Sequence, residues 1–233
     1  MIWHMIISKM LTTVNYEIAS GKQNKYIVIH YVAASGSAQN NCKYFKDTYR
    51  GASAHYFIGH DGEIWQSVED SNIAWHCGAK TYKHPYCRNS NSIGIELCCR
   101  QNAANGTWYF EEATIKAAIE LVQELMGKYN IPASNVIRHY DVTGKVCPEP
   151  FVRDTAAWNT FKANLTSTTT PTTGYVVRVT ADSLNVRKGA GVGYKVTTVI
   201  NKGEAYTIVD EYQGWGKLKS GVGWINLKYT ERV

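Results

Sequence analysis

Residues 166 to 173, Thr-Ser-Thr-Thr-Thr-Pro-Thr-Thr, carry no large apolar side chain, so this stretch cannot join any packed core. It divides the 233 residues, more than one compact core needs, into two folding problems. The expected organisation is a first domain over residues 1–165, an extended solvated linker over 166–173, and a second domain over 174–233.

In the first part, the patterning alternates between strand and helix. Tyr26-Ile-Val-Ile-His-Tyr-Val32 is an apolar, β-branched run of the kind that forms a strand buried on both faces. Ser37 can cap a helix whose apolar residues Ala38, Cys42, Phe45 and Tyr49 recur at helical spacing. Residues 54–68 predict two strands joined by a tight turn at Asp61-Gly62, and Asn91-Ser-Ile-Gly-Ile-Glu-Leu97 predicts another buried strand. Over 111–129 the residues Ile115, Ala118, Ile119, Val122, Leu125 and Met126 form one stripe that predicts a helix covering the sheet, and 151–165 predicts a closing helix. The fold class is α/β, a mixed central sheet flanked by helices. Beyond the threonine tract, short strands are expected near 175–180, 184–187, 194–200, 205–209, 215–218 and 223–225, which suits a small all-β barrel. Trp215 and Trp224 fit either its core or a ligand shelf.

Chemistry concentrates in Ile137-Arg-His-Tyr-Asp-Val-Thr-Gly-Lys-Val-Cys-Pro-Glu-Pro150, where His139, Lys145 and Cys147 fall within nine positions. Gly144 and Pro148 break any long helix, so a bent connection is expected to aim these side chains. Two of them are zinc-ligand types. A structural zinc site takes four protein donors, whereas a catalytic one takes three and keeps a position open, so a third donor must come from elsewhere. His30, near the end of its apolar run, is the candidate; the alternative is a hydrogen-bonded core histidine. Glu96, flanked by Ile95 and Leu97, is costly to bury without a partner and is therefore paired or functional. Lys145 is either a surface charge or a group serving the site. Around the predicted hairpin, His60 is expected to be exposed and His55 to line the site or pack near it. Trp75 fits a core or a cleft position, and His76 fits a substrate contact or a partner to the metal-binding residues.

The pieces IVIHYVA (27–33), ASAHYFIGHDGEIWQ (52–66), IAWHCG (73–78), NSIGIEL (91–97) and RHYDVTGKVCP (138–148) occur in an order that resembles the type-2 N-acetylmuramoyl-L-alanine amidases, a group that includes T7 lysozyme and the peptidoglycan recognition proteins. The stretches LNVRKGAG (184–191), GWGKLK (214–219) and GWI (223–225) resemble bacterial SH3 domains. The resemblance implies a Zn2+ cofactor on His30, His139 and Cys147, with Glu96 as general base and Lys145 stabilising the developing oxyanion. It also implies substrate contacts from Trp75, His76 and His55. The expected substrate is the glycan–stem peptide junction of peptidoglycan, with the SH3-like domain binding the cell wall. Two alternatives stand beside it: a non-catalytic peptidoglycan-binding protein of the same fold, and a structural zinc site completed by Cys98 or Cys99.

Charge and composition narrow the remaining choices. The net charge is +6, of which residues 174–233 contribute nine Lys and Arg against five Asp and Glu, so a basic second domain can be drawn to an anionic wall. No dense basic block supports nucleic-acid binding, and no run of about 18 apolar residues supports a membrane span. The N-terminal residues lack the pattern of a signal peptide, so the expectation is synthesis in the cytoplasm and endolysin-like release to the wall. Reduced cysteines are the default for the six present, with a Cys77–Cys87 bridge as the alternative.

Overall fold

The computed structural model describes residues 6–166, 174–212 and 214–233. It forms two compact units, Met1–Ser167 and Thr168–Val233. The expected linker lies outside the described residues except for Thr166, which ends a helix.

In the first unit, β1 (Ile7–Lys9) is followed by β2 (Tyr26–Tyr31), α1 (Ala38–Lys46), β3 (Tyr56–Ile58), β4 (Ile64–Gln66) and β5 (Ser92–Leu97). A small two-stranded ribbon, β6 (Arg100–Gln101) with β7 (Trp108–Tyr109), leads to α2 (Glu112–Tyr129) and β8 (Val136–Arg138). Three helices then close the unit: α3 (His139–Thr143), α4 (Glu149–Arg153) and α5 (Thr155–Thr166). The sheet runs β1-β4-β3-β5-β2-β8. All its neighbours are parallel except the β3–β4 hairpin, which gives the mixed α/β architecture expected from the sequence.

Strand periodicity sorts the side chains of the two central strands. Ile27, Ile29, Ile93, Ile95 and Leu97 pack with Ala118, Leu121 and Val122 of α2 and Phe161 of α5. Tyr26 and Val28 pack instead with Cys77, Cys87 and Val142. Further along this second face, α1 lays Ala38 and Cys42 on Phe57 and Cys98. Helix α1 starts where expected, Ser37 Oγ accepting the Asn40 N–H at 3.2 Å, but ends at Lys46, leaving Tyr49 outside it and exposed.

The hairpin bends through residues 59–63, with Gly62 at φ 82°, a left-handed conformation that other residues adopt at a cost. His60 is half-buried rather than exposed, and both of its ring nitrogens are screened from water. The closing helix is two: α4 and α5 are separated at Asp154, whose Oδ1 accepts the Ala157 N–H at 2.9 Å.

The second unit has seven strands: β9 (Tyr175–Val179), β10 (Ser183–Arg187), β11 (Val196–Asn201), β12 (Ala205–Tyr212), β13 (Trp215–Leu218), β14 (Trp224–Asn226) and β15 (Thr230–Arg232). They form an antiparallel sheet in the order β11-β10-β14-β13-β12-β9-β15 over a core that includes Val177, Val186, Ile208, Leu218 and Ile225. Trp215 and Trp224 are both buried, although neither belongs to that core cluster. Strand β15 was not anticipated, because Thr-Glu-Arg carries no apolar residue and is held by pairing with β9.

Candidate metal centre

The site grows from the carboxyl ends of three adjacent parallel strands, the usual place for ligands in such sheets. His30 lies one residue from the end of β2, beside Glu96 of β5, and His139 directly follows β8. The expected bent connection contains a short helix: α3 begins at His139 and is stopped by Gly144, whose φ of 85° suits glycine. The chain then doubles back, the Tyr140 N–H donating to the Cys147 carbonyl at 2.8 Å, and the Cys147–Pro148 peptide is cis.

This return brings the buried His30, His139 and Cys147 together, with one donor atom from each lying within 4.8 Å of the others. The Cys147 Sγ is 3.7 Å from His30 Nδ1, across 117 positions of sequence. The donors suit a soft divalent ion. Burial, followed by the neighbouring His76 and His139, holds the His30 imidazole well below its usual pKa, and burial with Lys145 lowers His139 to about 4. Both rings are therefore neutral, as ligation requires. His139 Nδ1 is buried with no hydrogen-bond partner among the described residues, as expected of an atom reserved for an ion. The Cys147 thiol is pushed up to about 12, by burial first and Glu96 second, so binding must draw its proton off. Among the described residues, neither Cys98 nor Cys99 joins this donor group, and all six cysteines are free and buried.

Glu96 shares the sheet face of His30. Its Oε2 is buried with no partner, and burial pushes the carboxyl up to about 8 against the opposing pull of Lys145. A carboxyl with that affinity for protons can serve as an acid or a base near neutral pH.

Lys145 is exposed and lines a cleft of about 690 Å³ together with His139, His76, Trp75, Lys80 and Asn89. Trp75 is half-buried on that wall, not in the core, and the exposed Tyr49 meets it edge-on at 6.0 Å. The His76 ring is seated against β5, with its Nδ1 3.0 Å from His30 Nε2. Only a glycine permits that seat, since a Cβ on Gly94 would stand 2.4 Å from His76 Cγ.

His55 packs near the site, its ring 5.7 Å from that of His76, but it is fully buried and is not among the residues lining the cleft, so the implied substrate contact is corrected. Its Nδ1 accepts the Gly94 N–H at 2.9 Å, and its Nε2 faces Lys22 Nζ at 3.0 Å and the Asn72 carbonyl at 3.2 Å. Both nitrogens are thus used to hold β5 and the chain beyond β4, leaving none for a substrate. Lys80 and Asn89 fall in the polar, aromatic stretch 79–91, whose sequence suits a peptide-contacting loop, although nothing in it singles out these two residues.

A second groove of about 400 Å³, lined in part by Tyr56, Asp70, Lys128 and Tyr129, shares no residue with the first. Its one buried acid, Asp70, is fully engaged by neighbouring donors, so the groove offers no free reactive group of that kind.

Residues 20–150 match the family model described as N-acetylmuramoyl-L-alanine amidase, and residues 182–231 match that of the bacterial SH3 domain. A probable N-acetylmuramoyl-L-alanine amidase of Bacillus licheniformis is 36% identical over 153 residues, covering 61% of this chain and 41% of the relative. The amidase AmiD of Escherichia coli is 31% identical over 137 residues, covering 54% and 48%. Among solved structures, PlyL superposes with a TM-score of 0.58 at 27% identity over 70% of this chain and 98% of that one. A mutant endolysin from Bacillus subtilis does so at 0.55 and 28%, over 70% and 99%. The chain spans about two fifths of the length of the first curated relatives it matches. With more than half of its residues matched by the family model, and with a fold and donor set of this kind, the chain belongs to the N-acetylmuramoyl-L-alanine amidase family.

Proposed function

We propose that the protein hydrolyses the amide between the lactyl group of N-acetylmuramic acid and L-alanine in peptidoglycan, using zinc, and that its C-terminal unit binds the cell wall. The observation that carries this reading is the meeting of His30, His139 and Cys147 within 4.8 Å, beside a cleft and on the sheet face of Glu96, whose Oε2 is buried without a partner. Two imidazoles and a thiolate are a donor set that zinc favours, and three protein donors rather than four is the pattern of a catalytic site. A zinc ion held there supplies Lewis acidity to the amide carbonyl and to water.

The chain's own groups do the rest. Glu96 removes a proton from the attacking water at Oε2 and returns one to the departing amine of L-alanine. Lys145 lines the cleft, where its ammonium group offsets negative charge that develops on the carbonyl oxygen. Trp75 and the polar cleft residues Lys80 and Asn89 hold the two sides of the junction.

The alternative is a module that binds peptidoglycan without cutting it. The undiminished donor set and the costly isolation of Glu96 favour an enzyme, because binding alone needs neither. The decisive measurement is incubation of the zinc-loaded protein with purified cell wall, reading free amino groups and the masses of the fragments. New L-alanine amino termini paired with intact glycan strands are expected. Fragments cut within the glycan or the peptide, or no fragments from a protein carrying one zinc, would falsify the proposal. A protein that takes up no zinc removes the metal assignment by itself.

A further inference from the structure

The hydrogen bonds around the candidate metal centre extend to a residue outside the donor cluster. Ser92, the first residue of β5, is fully buried on the sheet face that also carries Gly94 and Glu96. We propose that Ser92 is a positioning residue that determines which ring nitrogen of His30 is offered to a metal ion. The metal part of this inference rests on the zinc reading given above; the ring assignment does not.

A serine hydroxyl has one hydrogen, and here its destination is fixed. Ser92 Oγ lies 2.7 Å from the Arg88 carbonyl oxygen, which can only accept. That oxygen is itself anchored in a tight turn, accepting the Asn91 N–H at 3.2 Å while the Arg88 N–H donates to Asn91 Oδ1 at 2.8 Å. With its proton committed, Ser92 Oγ must accept at its other two contacts, His76 Nε2 at 3.1 Å and the Cys77 thiol at 3.9 Å. His76 therefore carries its hydrogen on Nε2 and presents a lone pair at Nδ1.

The same logic passes to the next ring. His76 Nδ1 stands 3.0 Å from His30 Nε2, so His30 Nε2 is the donor and carries the hydrogen. His30 Nδ1 is left with a free lone pair on the side of the Cys147 Sγ, 3.7 Å away. The series from the Arg88 carbonyl through Ser92 and His76 thus ends in a single tautomer of His30, the one whose Nδ1 can ligate. A ligating histidine commonly gives its other N–H to a carboxylate or carbonyl; here a second imidazole takes it and hands the requirement on to a hydroxyl.

The alanine variant removes the hydroxyl that faces His76 Nε2. His76 can then carry its hydrogen on Nδ1, which presents a donor to His30 and drives the His30 hydrogen onto the ligating nitrogen. A threonine keeps the hydroxyl on a strand position that tolerates β-branching.

The test uses the full chain, stripped of metal and titrated with zinc against a chromophoric chelator, together with nitrogen-15 NMR of the histidine rings in the metal-free state. The parent is expected to bind one zinc and to show His30 protonated at Nε2. Ser92→Ala should lose zinc affinity by about 10-fold to 100-fold, the range for groups that orient a ligand. It should also give a mixture of His30 tautomers, and Ser92→Thr should recover most of both. Parental zinc affinity and an unchanged tautomer in a folded Ser92→Ala overturn the inference, as does a parent whose His30 is protonated at Nδ1. A parent that takes no zinc removes the metal reading, and the ring spectra alone then decide the role of Ser92.

Discussion

Asp70 and Glu96 are both carboxyl groups folded into the first unit, yet they are treated in opposite ways. Asp70, 6% exposed, receives the Tyr56 hydroxyl at 2.6 Å and Gln66 Nε2 at 3.4 Å on one oxygen, and Lys128 Nζ at 2.9 Å and the Tyr129 hydroxyl at 2.7 Å on the other. Glu96 has an oxygen shut away from water with nothing to bind it. Burying a polar group is tolerable when its hydrogen bonds are replaced, and costly otherwise. The difference teaches where the fold spends stability: Asp70 ties β3, the segment after β4 and α2 together, while Glu96 keeps a lone pair available next to the donor cluster.

The contrast breaks most visibly at turnover. Glu96→Gln, which preserves shape and removes the base, should lower the rate on muramoyl-L-alanine amides by about 100-fold to 10,000-fold with zinc still bound. Activity within a few-fold of the parent would move the base elsewhere.

Stability should respond the other way round. Asp70→Ala strands several buried donors and should cost roughly 2–4 kcal/mol in denaturant unfolding, discounted for the half-exposed Lys128. Glu96→Gln should cost almost nothing. Equal losses at the two positions would erase the distinction.

Proton linkage sharpens it further. Burial pushes the Glu96 carboxyl from its ordinary value of 4.5 up to about 8, against the pull of Lys145, so between these values the folded state holds a proton that the unfolded chain has released. Parent stability should therefore fall as pH rises from about 4.5 to 8 and then level. Glu96→Gln lacks this decline, so the two proteins should match near pH 4.5 and diverge by pH 8.5 in paired unfolding curves. The smallest effect concerns the second unit. If the second unit binds the wall as proposed, removing residues 166–233 should slow lysis of whole cells several-fold while leaving cleavage of a soluble muramoyl peptide near the parental rate, because tethering acts by raising local concentration. An equal loss on both substrates would show that the second unit supports the first rather than the wall.

How far the sequence alone reached can be judged residue by residue. β2 and α2 were legible because their burial follows directly from chain periodicity, although the deepest face of α2 includes Ala117 and Leu121, beside the expected stripe. His30, His139 and Cys147 were legible as donor types, and Glu96 was legible because no apolar strand buries an acid without cause. The Asp70 network was not: Val-Glu-Asp-Ser-Asn has the composition of a turn, and its partners come from residues 56 to 129. The implied substrate contact of His55 failed for the same reason, since its bonds to Gly94 and Lys22 span 39 and 33 positions. His60 looked exposed because it neighbours a turn, and local sequence says nothing of what later packs over that turn. Helix α3 was hidden by its shortness: five residues stopped by a glycine give no periodic signal.

The 117 positions separating His30 from Cys147 carry a consequence for how such a molecule is assembled. An ion shared by these two side chains would fasten the second strand of the sheet to a bend that closes the unit, acting as a removable crosslink around most of the first unit. Loading and folding then become one linked equilibrium, and the thermal midpoint should climb with the logarithm of free zinc once the ion exceeds its dissociation constant. A protein built in this way would lose its shape and its chemistry to the same chelator.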